Sequence, residues 1–163
     1  MSASHVSAAL RRLVRERAGE CCEYCLIPEA MTWALHTIDH ITAEKHGGMT
    51  TADNLALACT LCNSRKGSAL TSIDEQTGAI EPLFHPRRDR WVDHFQLVGG
   101  RIEPRTAKGR CTHGYCGSTT LIVSRSAKFS LPSARSGSPP PERYRAPASM
   151  ALSQLMFDLW ATG

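Results

Sequence analysis

The sequence predicts an α+β fold. Two short strands and a short helix are gripped by cysteines, with a helix before this unit and a β-hairpin after it. Three observations carry the prediction. Apolar residues recur at helical spacing near the N-terminus. Two Cys-x2-Cys pairs bracket a segment of short apolar and β-branched runs. Further on, a Gly-Gly pair separates two runs of strand character. The chain has 163 residues, 42% of them hydrophobic and 6% aromatic, which is material for one modest core. No stretch approaches the roughly 18 apolar residues of a membrane-spanning helix, so no membrane partner is expected.

The first element is an amphipathic helix over residues 5–18. Val6, Leu10, Leu13 and Val14 form its stripe, Arg11, Arg12, Arg15, Glu16 and Arg17 lie between them, and Gly19 ends it. The same mixture of Arg and Glu leaves no uninterrupted apolar region of a signal peptide, so the expected location is cytoplasmic. Residues 34–41 (ALHTIDHI) read as a strand, 42–53 as a loop turning at Gly47-Gly48, and 54–58 (NLALA) as a second strand. A short helix over about residues 60–67 stops at Gly67. Residues 71–110 form an appendage whose hairpin pairs 94–98 with 101–105 across Gly99-Gly100, and Pro104 marks a strand end.

Reduced thiols are the rule in the cytosol, so seven cysteines point to metal rather than to disulfides. Cys22, Cys25, Cys59 and Cys62 supply four thiolates, which close the tetrahedral shell of a structural Zn²⁺ and leave no open position for substrate. Cys21 could replace Cys22 in a Cys-x3-Cys register, and Cys22 is preferred. Cys111, His113 and Cys116 lack a matching pair and are not assigned a second site. The 33 residues between the pairs exceed the roughly 15–20 of a simple zinc ribbon, so something is inserted between them.

The insert holds His36, Asp39, His40, Gly47, Gly48 and Asn54, and Asn63 follows Cys62 directly. Residues 22–67, with CEYC and IDHITAEKHGGMTTADNLALACTLCNSRKG, resemble the HNH (His-Asn-His) endonuclease family. The flanks, 6–20 and 71–110, also resemble bacterial members with an N-terminal helix and a PLFHPRRDRW-like segment, here 82–91. The resemblance implies a ββα-metal (His-Me finger) nuclease core carrying four-cysteine zinc knuckles. It implies hydrolysis of DNA phosphodiesters, single- or double-stranded, with a divalent cation.

The residue chemistry stands beside that resemblance. Phosphodiester hydrolysis needs an activated water and a cation for the developing charge. His40 is the candidate general base, since an imidazole is suited to proton transfer near neutral pH. Asp39 and Asn63 offer hard oxygens for Mg²⁺ or Mn²⁺. Neighbouring residues of a strand point apart, so Asp39 and His40 are expected to hold different roles. The resemblance gives Asn54 the task of holding the His40 tautomer, and it allows Asn at position 63, where other members carry His. Lys45, Arg65 and Lys66 are candidate phosphate contacts, which would carry no sequence information. His36 and His46 are read as structural or peripheral. Arg87, Arg88 and Arg90 alternate with Asp89 and Asp93 as a solvated face, and Trp91 with Phe95 as core. A non-catalytic zinc module that binds nucleic acid is the competing reading, although a binder has no need of Asp39, His40, Asn54 and Asn63 in register.

The net charge of +4 is unevenly placed. Residues 1–110 hold 14 Lys+Arg and 13 Asp+Glu, a net of +1, whereas 111–163 hold 5 and 2, a net of +3. The latter segment also carries nine Ser and five of the nine Pro, and reads as largely disordered and irregular, with a short amphipathic run at 149–160. Read from the third base of the Gly114 codon, permitted triplets spell Leu-Leu-Arg-Leu-Asn-Asn-Pro-Asp-Arg, a leucine-bearing charged peptide. A frameshift near residue 110 would account for the change in composition. A native disordered tail, or a basic arm adding phosphate affinity, are the alternatives.

Overall fold

The computed structural model describes residues 5–116. The amphipathic run at 149–160 and most of the segment read as out of frame lie outside the described residues. Helix α1 spans Ala8–Ala18 and is capped by Ser7, whose Oγ accepts from the Leu10 amide at 3.3 Å. Val14 and Ala18 are buried and Leu10 half-buried, but Leu13 is 45% exposed, so the buried stripe is narrower than the sequence spacing suggested. Strand β1 is Thr37–His40 and strand β2 is Leu55–Ala58. Both are shorter than the sequence predicted. Residues 34–36 leave the expected strand for a loop that follows a 3-10 turn over Glu29–Met31 and on which Trp33 and Leu35 are exposed.

The two strands pair antiparallel, with Asp39 opposite Ala56 and His40 opposite Leu55. Alternation along fully buried β2 sorts its side chains into two cores. Leu55 and Leu57 pack with Val6, Val14 and Ala18 under α1. Ala56 and Ala58 face the cysteines, Tyr24, Phe84, Trp91 and Phe95. The second core is closed by the appendage. Trp91 and Phe95 stack with ring centroids 5.2 Å apart, and the Trp91 indole donates to the Tyr24 carbonyl at 3.0 Å.

Helix α2, Thr60–Lys66, follows β2 at once and stops at Gly67. Two further antiparallel hairpins follow. Strand β3 (Thr71–Ile73) pairs with β4 (Ile80–Pro82). After the single turn α3 (Trp91–His94), β5 (Phe95–Val98) pairs with β6 (Arg101–Pro104). The second is the hairpin predicted at Gly99-Gly100, both of which take positive φ, as a two-residue turn between twisted strands requires. Helix α4 covers Ala107–Cys116 and packs on α2, β3, β4 and β6. Its Thr112 is buried, accepting from the Phe84 amide at 2.7 Å and donating to the Lys108 carbonyl at 2.9 Å. The packed fold therefore continues to Cys116, past residue 110 where the composition changes. Among the described residues no helix is long and apolar enough to cross a membrane.

Candidate metal centre and active site

The Cys-x2-Cys pairs meet. The sulfur atoms of Cys22, Cys25, Cys59 and Cys62 all lie within 4.8 Å of one another and all four residues are buried. Cys25 Sγ and Cys59 Sγ are 3.7 Å apart, close to the edge of about 3.8 Å of a tetrahedron built on Zn–S bonds of roughly 2.3 Å. Cys59 caps α2, its sulfur accepting from the Cys62 amide at 3.4 Å. Hydrogen bonds from the Cys22 and Cys25 thiols, together with that amide, hold the Cys59 thiol far below its ordinary pKa, while burial holds Cys22 up. Donor set and geometry fit a closed Zn²⁺ site.

The remaining cysteines stay out of the set. Cys21 bridges to Pro28, and burial beside Cys22 and Glu20 pushes its thiol up to about 12. Cys111 Sγ points at the Ser72 carbonyl, 3.6 Å away. Cys116 is buried in the core that also holds the four clustered cysteines. Among the described residues His113 joins no metal-binding cluster.

The two residues inside the first knuckle carry information that spacing could not convey. Glu23 is 1% exposed and clamps β2: its amide donates to the Leu57 carbonyl at 2.8 Å and its carboxylate accepts from the Leu57 amide at 2.9 Å. Arg87 pairs with Glu23, so it is part of the core linkage and not of a solvated face. Tyr24 donates its hydroxyl to Asp39 Oδ2 at 2.6 Å. Burial, then the charge of Asp39, raises the Tyr24 pKa, so it remains a donor.

Beside this cluster lies a surface cleft of about 480 Å³ whose lining includes Asp39, His40, Glu44, Lys45 and Asn63. The β1–β2 register separates the first two side chains. Asp39 faces Tyr24 and α2, with Lys66 Nζ 3.0 Å from its Oδ2. Burial raises the Asp39 pKa, against which Lys66 and Tyr24 pull it down. His40 faces the loop that follows β1: its Nε2 is 2.8 Å from Thr50 Oγ1 and 4.0 Å from Glu44 Oε1. Its Nδ1 holds no hydrogen bond among the described residues. Neither does the Asn63 side chain, although the Asn63 backbone is engaged in α2.

Two expected roles change. Asn54 does not reach His40. Its Oδ1 accepts from the Thr42 amide and its Nδ2 donates to the carbonyls of Thr42 and Met49, each at 2.9 Å, so it staples the loop shut. Thr50 occupies the place expected of Asn54. Spacing alone could not find it, because it is a threonine in a loop with no regular period. Lys66 is no surface phosphate contact. It is 4% exposed, and its ammonium also faces the His40 carbonyl at 3.3 Å and the Tyr24 ring at 5.9 Å. A helix turns about 100° per residue, so Arg65 remains exposed where Lys66 turns inward. Lys45 is exposed at the cleft edge. His36 is buried with Nε2 2.9 Å from the Ile27 carbonyl, while His46 lies exposed.

The family model for HNH endonuclease matches residues 22–69, which span the four cysteines, both strands, α2 and the cleft residues. No curated protein and no solved structure matches the chain. The segment 22–69 is thus similar to the HNH endonuclease family, a likeness that points toward nuclease action or nucleic-acid binding.

Proposed function

We propose, on the premise that residues 22–69 are an HNH endonuclease domain, that the protein hydrolyses DNA phosphodiester bonds with His40 as general base. The observation that carries this reading is the meeting of Asp39, His40 and Asn63 at one cleft, with His40 Nε2 engaged by Thr50 and Nδ1 unengaged among the described residues. Nδ1 takes a proton from water. The oxygen of that water bonds to phosphorus as the bond to the leaving oxygen breaks, and the leaving oxygen takes a proton from solvent.

The donors at the cleft fit a hard cation, since Asp39 offers a carboxylate and Asn63 an amide oxygen with no competing bond among the described residues. Mg²⁺ or Mn²⁺, when bound there, would neutralise charge developing on the phosphate. Lys66 already balances the charge of Asp39, so the protein's own hold on such an ion would be weak and would lean on phosphate oxygens and waters. Lys45 and Arg65 lie exposed on this side to meet phosphates. Cys22, Cys25, Cys59 and Cys62 would hold a structural Zn²⁺, and that link would fix α2, and with it Asn63, against the knuckle that carries Tyr24.

The engagement of both Asp39 oxygens by Lys66 and Tyr24 favours the second reading, a zinc module that binds nucleic acid without cutting it. Nicking of plasmid and single-stranded DNA with Mg²⁺, Mn²⁺ or EDTA separates the two. Wild-type protein should nick with metal, and His40→Ala should lose about 10²–10⁴-fold in rate with its zinc retained. Equal cleavage by both chains, or binding with no cleavage by the wild type, overturns the proposal.

A further inference from the structure

We infer that Thr50, backed by Glu44, is the positioning residue that selects the His40 tautomer and presents Nδ1 as the free base. The inference rests on the nuclease reading of His40.

His40 Nε2 and Thr50 Oγ1 are 2.8 Å apart, a full-strength hydrogen bond. A hydroxyl can donate or accept, so this distance alone allows two arrangements. In one, Nε2–H donates to Thr50, whose own hydrogen turns to Glu44. In the other, Thr50 donates to a bare Nε2, and Nδ1 carries the proton. Glu44 decides between them. Its Oε1 is 3.5 Å from Thr50 Oγ1 and 4.0 Å from Nε2. An ionised carboxylate only accepts. The first arrangement aims a hydrogen at it, whereas the second confronts it with the lone pairs of the hydroxyl. The chain Nε2–H, Thr50 O–H, Glu44 is therefore the favourable polarity, and it leaves the lone pair on Nδ1.

The loop is built to hold Thr50 there. Asn54 Nδ2 grips the carbonyl of Met49, the residue immediately before Thr50, and the Thr51 amide donates to that same carbonyl at 3.0 Å. Gly48 lies so close beneath Thr42 that a Cβ would fall 1.8 Å from the Thr42 oxygen and 2.8 Å from Asn54 Nδ2. Asn54 thus acts on the imidazole through the loop, one residue removed.

The test uses full-length, zinc-loaded protein with ¹⁵N-labelled histidine, at one pH where the His40 ring is neutral. Long-range proton–nitrogen correlation reads which nitrogen carries the hydrogen, and His40→Gln assigns the signal. His36 is an internal standard, because a carbonyl can only accept from its Nε2. The wild-type His40 should show the Nε2–H pattern. Thr50→Val, which keeps the shape and removes the hydroxyl, should move both nitrogen shifts toward a tautomerically averaging ring. It should also lower the kcat for nicking about tenfold, the equivalent of one hydrogen bond, with KM nearly unchanged. Thr50→Ser should restore both. An Nδ1–H pattern in the wild type, or a Thr50→Val spectrum identical to it, overturns the inference. If the wild type cuts no DNA, the nuclease reading fails, and the spectra still decide the tautomer.

Discussion

Lys66 and Asp39 are an ion pair 3.0 Å apart whose side chains are 3% and 6% exposed. Each charge is tolerable in the core because of the other, and Tyr24 and the His40 carbonyl satisfy what remains. Lys66→Met would strand the Asp39 carboxylate and should destabilise the fold by about 3–5 kcal/mol. Adding Asp39→Asn to Lys66→Met should recover much of that loss, because the buried charge is then gone. Urea unfolding at saturating zinc reads both variants, and additive losses would refute the coupling. None of this could be read at residue level from the sequence, where Arg65 and Lys66 look alike. His40, Asp39 and Asn63 were legible, because fixed spacing around two cysteine pairs constrains them. Thr50 was not, because its partner is ten residues away across a loop.

At the scale of elements, α4 is tied to the β3–β4 turn by Arg110, whose Nε and Nη2 each lie 2.7 Å from an Asp74 oxygen. Hydrogen bonds from Arg110, then from Thr77, hold the Asp74 carboxyl well below the usual carboxylate range. A depressed folded pKa means that the contribution is complete above the unfolded value near 4 and fades as pH falls below it. Arg110→Leu should therefore lower the thermal midpoint at pH 6, and the gap to the wild type should narrow as pH drops below about 4. A gap that stays constant with pH would show that Arg110 acts only through packing.

The β5–β6 hairpin was legible from its Gly-Gly turn. Strands β3 and β4 were not, since each has three residues with an exposed–intermediate–exposed pattern and no apolar alternation to detect. Residues 107–116 form a helix with Gly109 and Gly114 in it, both poor helix formers, so packing rather than propensity accounts for it.

At the scale of the whole molecule, two cores share β2 and the four-cysteine cluster sits in one of them. Tyr24, Phe84, Trp91 and Phe95 pack the core that holds the cysteines, and a Zn²⁺ bound by the four thiolates would add its binding free energy to that packing. One zinc per chain is the expected content by elemental analysis. Cys59→Ser should lose it, since Cys59 is both a ligand and the cap of α2, and the cooperative unfolding transition should go with it. A Cys59→Ser chain that unfolds like the wild type at wild-type zinc content would contradict this.

The sequence by itself determined which four cysteines cluster, the order of the ββα unit and the presence of Asp39, His40, Lys45 and Asn63 around one cleft. These depend on local spacing and on chemistry that few residue types can perform. Tertiary structure alone decided which charge faces inward, which group holds the His40 ring and how far the packed helix runs past residue 110. Those outcomes depend on strand register, helix rotation and contacts between segments far apart in the chain, and none of these leaves a period in the sequence.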